Sequence, residues 1–191
     1  KIYLHQNIKV IRSCKISSIV KLVNHTEINL ILSNQEAGVY TCGLLIGADG
    51  ANSWLRGYFN FACDTEPYNH SALVTNVYTK QVTDSTAYQQ FLPTGPIAFL
   101  PWMNWQDKHT FSIVWSQPNQ DAEHWQSCDK QLFIDKLNAL TANKFNLIDC
   151  DTRVSFPLIK RHVGQYYNNV CVLIGDAAHT IHPLAGQGLN L

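Results

Sequence analysis

Short runs of alternating apolar and polar residues dominate the first third of the chain. Residues 2–11, 15–23 and 27–33 each read as a strand, with Asn24, His25 and Thr26 as the turn between the second and third. Residues 39–42 add a short strand, and the apolar run 44–46 ends in Gly47-Ala48-Asp49-Gly50. The spacing over 51–57 predicts a short helical turn, capped by Asn52 or Asp49. From 71 to 115 the pattern is mostly β, with strands expected at 71–79, 87–92, 97–101 and 109–116 and a turn at Pro93-Thr94-Gly95-Pro96. Residues 117–126 are polar and read as a loop. Leu132, Phe133, Lys136, Leu137 and Leu140 recur at helical spacing, predicting an amphipathic helix over 129–140. A strand follows at 153–158. Residues 170–174 are apolar throughout, as in a strand buried on both faces of a parallel sheet.

Composition narrows the class. With 191 residues the chain can bury a sizeable core without a disulfide or a metal staple. Lys+Arg and Asp+Glu are 14 each, which argues against a nucleic-acid binder and against intrinsic disorder. Only 15% of residues are charged, so part of the surface is expected to be covered by a partner, a further segment or an apolar substrate. No apolar run approaches the length of a membrane-spanning helix. The six cysteines form no Cys-x-x-Cys pair and read as reduced, mostly buried thiols of a cytoplasmic protein.

Two blocks carry candidate chemistry. In the first, a buried strand delivers Asp49-Gly50, followed by Ser53 and Arg56. Asp49 can accept from sugar hydroxyls or orient backbone N–H groups, and Arg56 can meet a phosphate or hold the block together. The alternative is that Asp49 only caps a helix and Arg56 is a solvated charge. In the second, the strand at 170–174 delivers Gly175-Asp176-Ala177-Ala178-His179, then Pro183 and Gly186-Gln187-Gly188-Leu189-Asn190. Asp176 suits the hydroxyls of a ribityl chain, and the small Ala177 leaves room for it. Bare N–H groups around a glycine turn leading into a helix suit negative charge. His179 and His182 read as packed or hydrogen-bonded histidines, since Pro183 disfavours the regular helix an i, i+3 metal pair would use.

These blocks resemble the second and third fingerprints of class A FAD-dependent aromatic monooxygenases, above all the hydroxylases of ubiquinone biosynthesis. The stretches 90–101, 112–115 and 156–162 resemble the same branch, so the resemblance runs along nearly the whole chain. It implies a fold of mixed α/β and α+β class: part of a Rossmann-like FAD-binding domain of the para-hydroxybenzoate-hydroxylase type over 1–66 and 153–191, around a mainly antiparallel β-sheet substrate domain over 67–152. It implies FAD as cofactor, NADH or NADPH as electron donor, and molecular oxygen. The reaction implied is hydroxylation of a polyprenylated phenol or quinol through a flavin C4a-hydroperoxide, in the cytoplasm, with a peripheral position at the inner membrane face and other ubiquinone-biosynthesis proteins as partners open to it. Asp49, Gly50, Ser53 and Arg56 then belong to the fingerprint shared by FAD and the nicotinamide. Gly175, Asp176 and Ala177 hold the ribityl chain, Pro183 sits near the reactive edge, and Gly186, Gln187, Gly188, Leu189 and Asn190 serve the pyrimidine end. Phe91, Phe99 and Trp115 are candidate substrate-wall residues, with plain sheet core as the alternative.

The first fingerprint of that family, a Gly-x-Gly-x-x-Gly after a strand, is absent from these residues, and the chain reads as an internal fragment that alone binds FAD weakly or not at all. Two other readings stand beside the enzyme. One is a non-catalytic member of a biosynthetic complex. The other is a related flavin-dependent halogenase or reductase, although Trp102-Met103-Asn104-Trp105 lacks the Trp-x-Trp-x-Ile-Pro spacing of the halogenases.

Overall fold

The computed structural model describes residues 6–22, 25–32, 37–81, 86–105 and 108–182. The strands in chain order are β1 (Cys14–Lys21), β2 (Thr26–Leu32), β3 (Ala37–Cys42), β4 (Leu45–Gly47), β5 (Cys63–Thr79) and β6 (Tyr88–Leu92). They continue as β7 (Gly95–Trp105), β8 (Lys108–Pro118), β9 (Leu147–Cys150), β10 (Val154–Val163), β11 (Cys171–Leu173) and β12 (His179–Thr180). The helices are α1 (Trp54–Tyr58), α2 (Asn119–Ser127) and α3 (Lys130–Leu140). The chain divides into two compact units, Lys1–Asp64 with His162–Thr180, and Thr65–Arg161 with Ile181–Leu191. The second stretch of the first unit begins at His162, since β10 as far as Arg161 extends the sheet of the second unit.

In the first unit β1, β2 and β3 form an antiparallel meander, with Ile19 opposite Ile28 and Ile28 opposite Tyr40. Period-2 alternation puts Ile19 on the covered face while Val20 stays open to solvent. The strand expected over 2–11 does not form in its described part, since residues 6–11 have no strand partner among the described residues and Ile8 and Val10 are exposed. Strands β4 and β11 pair in parallel, Leu45 beside Cys171 and Gly47 beside Leu173. Leu45, Leu55, Cys171, Leu173, Ala177 and Val163 close a small core with Ile19. A Cβ on Gly47 would lie 2.7 Å from Leu173 Cδ2 and 3.2 Å from Leu55 Cδ1, so glycine leaves room here for two buried leucine side chains.

The second unit is a sheet of order β10-β5-β8-β7-β6, with β9 added on β5. Its pairs β5–β8, β7–β8, β6–β7 and β5–β9 are antiparallel, Leu73 facing Trp115 and Ile97 facing Trp115 from the other side. One face packs on α3, which buries Phe133, Ile134 and Leu137 against Leu73, Val77, Phe99, Phe111 and Ile113. Asp129 caps α3 by accepting from the N–H groups of Gln131 (2.8 Å) and Leu132 (3.3 Å). The loop expected at 117–126 is largely helix α2. It is polar on most of its surface and buries only Ala122 and part of Trp125, which stacks on Trp115 at 5.9 Å, so no apolar period marks it. Strand β9 carries no clear sequence signal either. Its residues are held by Asn138, whose amide donates to Leu147 O (2.9 Å) and accepts from Leu147 N–H (2.8 Å).

Candidate functional site

Strands β4 and β11 lie side by side and end together, so the tertiary structure brings the Asp49-Gly50 and Gly175-Asp176 turns next to each other. Ile174 N–H donates to Gly47 O at 2.9 Å, locking the turns at a common edge. Both expected blocks therefore reach the carboxyl edge of one parallel pair, where ligands bind on open α/β sheets.

The first turn is built inward. Asp49 accepts from the Ser53 hydroxyl at 2.5 Å and from Leu55 N–H at 3.1 Å, and Ser53 caps α1 by accepting from Arg56 N–H at 2.9 Å. The cap is Ser53, rather than Asn52 or Asp49, with Asp49 behind it. Partial burial pushes the Asp49 carboxyl upward, but the Ser53 hydroxyl and the Leu55 and Trp54 N–H groups outweigh it and hold the pKa below the ordinary value. Arg56 is half-buried and donates to two backbone carbonyls. Its Nη2 donates to Ala51 O (2.7 Å) and its Nη1 to Ala177 O (3.0 Å). One guanidinium thus clamps the two turns, a link across 121 residues that the spacing left undecided.

The second turn is built outward. Gly175 opens a 3-10 turn over Gly175–Ala177 with φ +55°, and Gly50 has φ +84°; a Cβ at either would meet open space. Both backbones therefore leave room for a ligand to approach. Asp176 is exposed, and its carboxylate has no partner among the described residues. Ala177 and Ala178 are buried beneath it. The residues present fit a polyhydroxylated cofactor chain: an unpaired carboxylate acceptor, two glycine turns without side chains, and a floor of alanines. His179 is buried, and its Nδ1 shares a 3.3 Å hydrogen bond with the hydroxyl of Tyr166. The two rings also stack, with centroids 6.0 Å apart, so His179 packs within the first unit. Pro183, Gly186, Gln187, Gly188, Leu189 and Asn190 lie outside the described residues.

In the second unit the three wall candidates separate. Phe99 (0% exposed) and Trp115 (2%) point into the helix-covered core. Phe91 (73%) points to the opposite face, which no described helix covers. Register places Ala98, Leu100, Trp102 and Val114 on the same face as Phe91. Leu100 and Trp102 are exposed there, and the parity of β7 relative to Phe99 is the signal that could have found them. Among the described residues no group of three or more His, Cys, Asp and Glu side chains could hold a metal, and no helix is long and apolar enough to cross a membrane.

A mainly antiparallel sheet in one unit, and in the other a parallel pair with the Asp49-Gly50 and Gly175-Asp176 turns at its edge, make up the architecture of a partial FAD-binding domain. The profile of the family described as "FAD binding domain" matches residues 22–191, and the chain belongs to that family. It is 34% identical over 183 residues to the ubiquinone biosynthesis monooxygenase COQ6, mitochondrial, of Xenopus tropicalis, covering 78% of this chain and 39% of that protein. It is 34% identical over 176 residues to the 3-demethoxyubiquinol 3-hydroxylase of Escherichia coli (strain K12), covering 91% of this chain and 43% of that protein. The chain thus spans about two fifths of the length of these relatives. Among solved structures, a ternary complex of aklavinone-11 hydroxylase with FAD and aklavinone has a TM-score of 0.67 at 18% identity, covering 93% of this chain and 34% of that one. The probable FAD-dependent monooxygenase pqsL of Pseudomonas aeruginosa has a TM-score of 0.69 at 18% identity, covering 93% and 50%. These two likenesses concern the fold.

Proposed function

We propose that the full-length protein is an FAD-dependent monooxygenase that takes electrons from NADH or NADPH and uses molecular oxygen to hydroxylate the ring of a polyprenylated phenol or quinol in ubiquinone biosynthesis. The observation that carries this reading is the exposed carboxylate of Asp176, without a partner among the described residues, at the shared edge of β4 and β11. The named activities of the Xenopus and Escherichia coli relatives support the substrate class. When bound, the flavin supplies the redox and oxygen chemistry.

The chain's own residues bind and orient. Asp176 accepts hydrogen bonds from the ribityl hydroxyls, and Gly50 and Gly175 leave space for the cofactor. Arg56 holds the two turns at a fixed separation, and the Asp49–Ser53 pair keeps α1 in register behind them. Pro183 and Gly186 to Asn190 complete the cofactor contacts. In the second unit the helix-free face with Phe91, Leu100 and Trp102 offers an apolar surface to a lipid-tailed ring. A lipid-tailed substrate supports a peripheral position at a membrane face, beside other proteins of the same pathway.

The test is a flavin titration of the full-length protein. Wild type is expected to bind about one equivalent of FAD, and Asp176→Ala to lose most of that affinity while keeping its melting temperature. Full affinity in the variant would remove the basis of the reading. Deleting the gene and identifying the accumulating quinone precursor then fixes the ring position.

A further inference from the structure

The turn that carries Asp176 runs from Leu173 at the end of β11 to His179 at the start of β12, and Tyr166 touches it at both ends. Tyr166 belongs to the connection between β10 and β11. Its backbone oxygen accepts from Leu173 N–H at 2.7 Å. Its hydroxyl shares a 3.3 Å hydrogen bond with His179 Nδ1 and another of 3.3 Å with His162 Nε2, near the end of β10. The next residue, Tyr167, forms an isolated β-bridge with Val172. All of these groups lie in the first unit.

His179 is buried (6% exposed), whereas Tyr166 is 38% exposed and His162 is open to solvent. Nε2 of His179 is buried without a partner among the described residues, so the ring relies on its bond to Tyr166. A hydroxyl has one hydrogen, so between two imidazoles it donates to one ring nitrogen and accepts from the other. The Tyr166 hydroxyl therefore fixes which nitrogen of a neutral His179 carries the hydrogen. Phenylalanine at 166 would keep the ring stacking but leave both nitrogens of a buried imidazole unpaired. Arg56 and the Val163 N–H grip the turn through the carbonyls of Ala177 and Ala178. The side chain at its far end, His179, is tied through Tyr166.

We propose that Tyr166 is a positioning residue for the cofactor: by joining Leu173 to His179 it holds the Asp176 turn in the shape that takes the ribityl hydroxyls. The inference rests on the reading that Asp176 binds the flavin. The hydroxyl's bond to His179 is what is at stake, and one such bond corresponds to about a three- to tenfold change in affinity.

The experiment titrates FAD into the full-length wild type and into Tyr166→Phe, His179→Ala, the double variant and His179→Asn. Tyr166→Phe and His179→Ala are each expected to bind FAD about three- to tenfold more weakly. The double variant should bind no worse than the weaker single, because both cut the same link. Asparagine can present its amide nitrogen or its oxygen where Nδ1 stands, so His179→Asn is expected to recover most of the affinity. Tyr166→Phe removes a single oxygen atom and keeps the test sound should His179→Ala fold poorly. A change in overall stability would not by itself move the His179 tautomer. In the flavin-free protein, well above the ordinary histidine pKa, the nitrogen resonances of His179 are expected to show one tautomer in the wild type and to shift on Tyr166→Phe. Wild-type affinity in Tyr166→Phe, losses that add in the double variant, or unchanged His179 resonances overturn this role alone. A wild type that binds no FAD overturns the flavin reading, and the role of Tyr166 with it.

Discussion

Arg56 offers the sharpest test of how the two turns are held. Replacing it with methionine keeps the aliphatic stem and removes both donors to Ala51 O and Ala177 O. A hydrogen bond from a charged donor contributes about 1.5–3 kcal/mol, so two would approach about 3–6 kcal/mol if fully enclosed. The side chain is only half-buried and water can reach the freed carbonyls, which lowers the expected loss to about 2–3 kcal/mol. For a protein of this size that corresponds to a fall in Tm of about 4–12 °C. Arg56→Lys keeps the charge but presents a single ammonium, which cannot span both carbonyls, and should recover about half of the loss. Thermal unfolding followed by circular dichroism reads the stability, and a flavin titration reads the site, since separated turns should also bind FAD more weakly. A Tm within about 1 °C of wild type for Arg56→Met would refute the clamp, on the magnitude expected for charged hydrogen bonds. Wild-type behaviour of Arg56→Lys would show that charge alone, not the two-pronged geometry, matters.

Other outcomes follow from the same geometry. Phe99→Ala should cost about 3–5 kcal/mol in urea unfolding, whereas Phe91→Ala should stay within about 0.5 kcal/mol and act on KM instead; equal costs would contradict the assignment of faces. The folded pKa of Asp49 is depressed, so its contribution to stability is present above the unfolded value near 4 and is lost as pH falls through the folded value. Asp49→Asn should therefore flatten the acid limb of a stability-against-pH curve, and an unchanged limb would count against the cap. Burial raises the pKa of Cys150 and Cys171, so under native conditions these two thiols should be the slowest of the six to react with iodoacetamide, as read by peptide mass.

Much of this protein is written locally along the chain. Alternation placed β1, β2 and β3, and helical spacing placed α3. Two apolar runs, one ending in Gly47-Ala48-Asp49-Gly50 and one in Gly175-Asp176, marked β4 and β11 and located the candidate flavin edge, because strand and turn chemistry act over neighbouring residues. Helix α2 and strand β9 escaped because each is short and owes its form to partners elsewhere: Trp115 beneath α2, and Asn138 and β5 beside β9. The charged and aromatic candidates took their roles from contacts far apart in the chain. Arg56 could have met a phosphate, and its carbonyl partner lies 121 residues away. Phe91 and Phe99 are both aromatic residues of neighbouring strands, but the register of β6 on β7 sends one to solvent and the other into the core. A residue's type sets which bonds it can make, and the fold sets which partners are within reach.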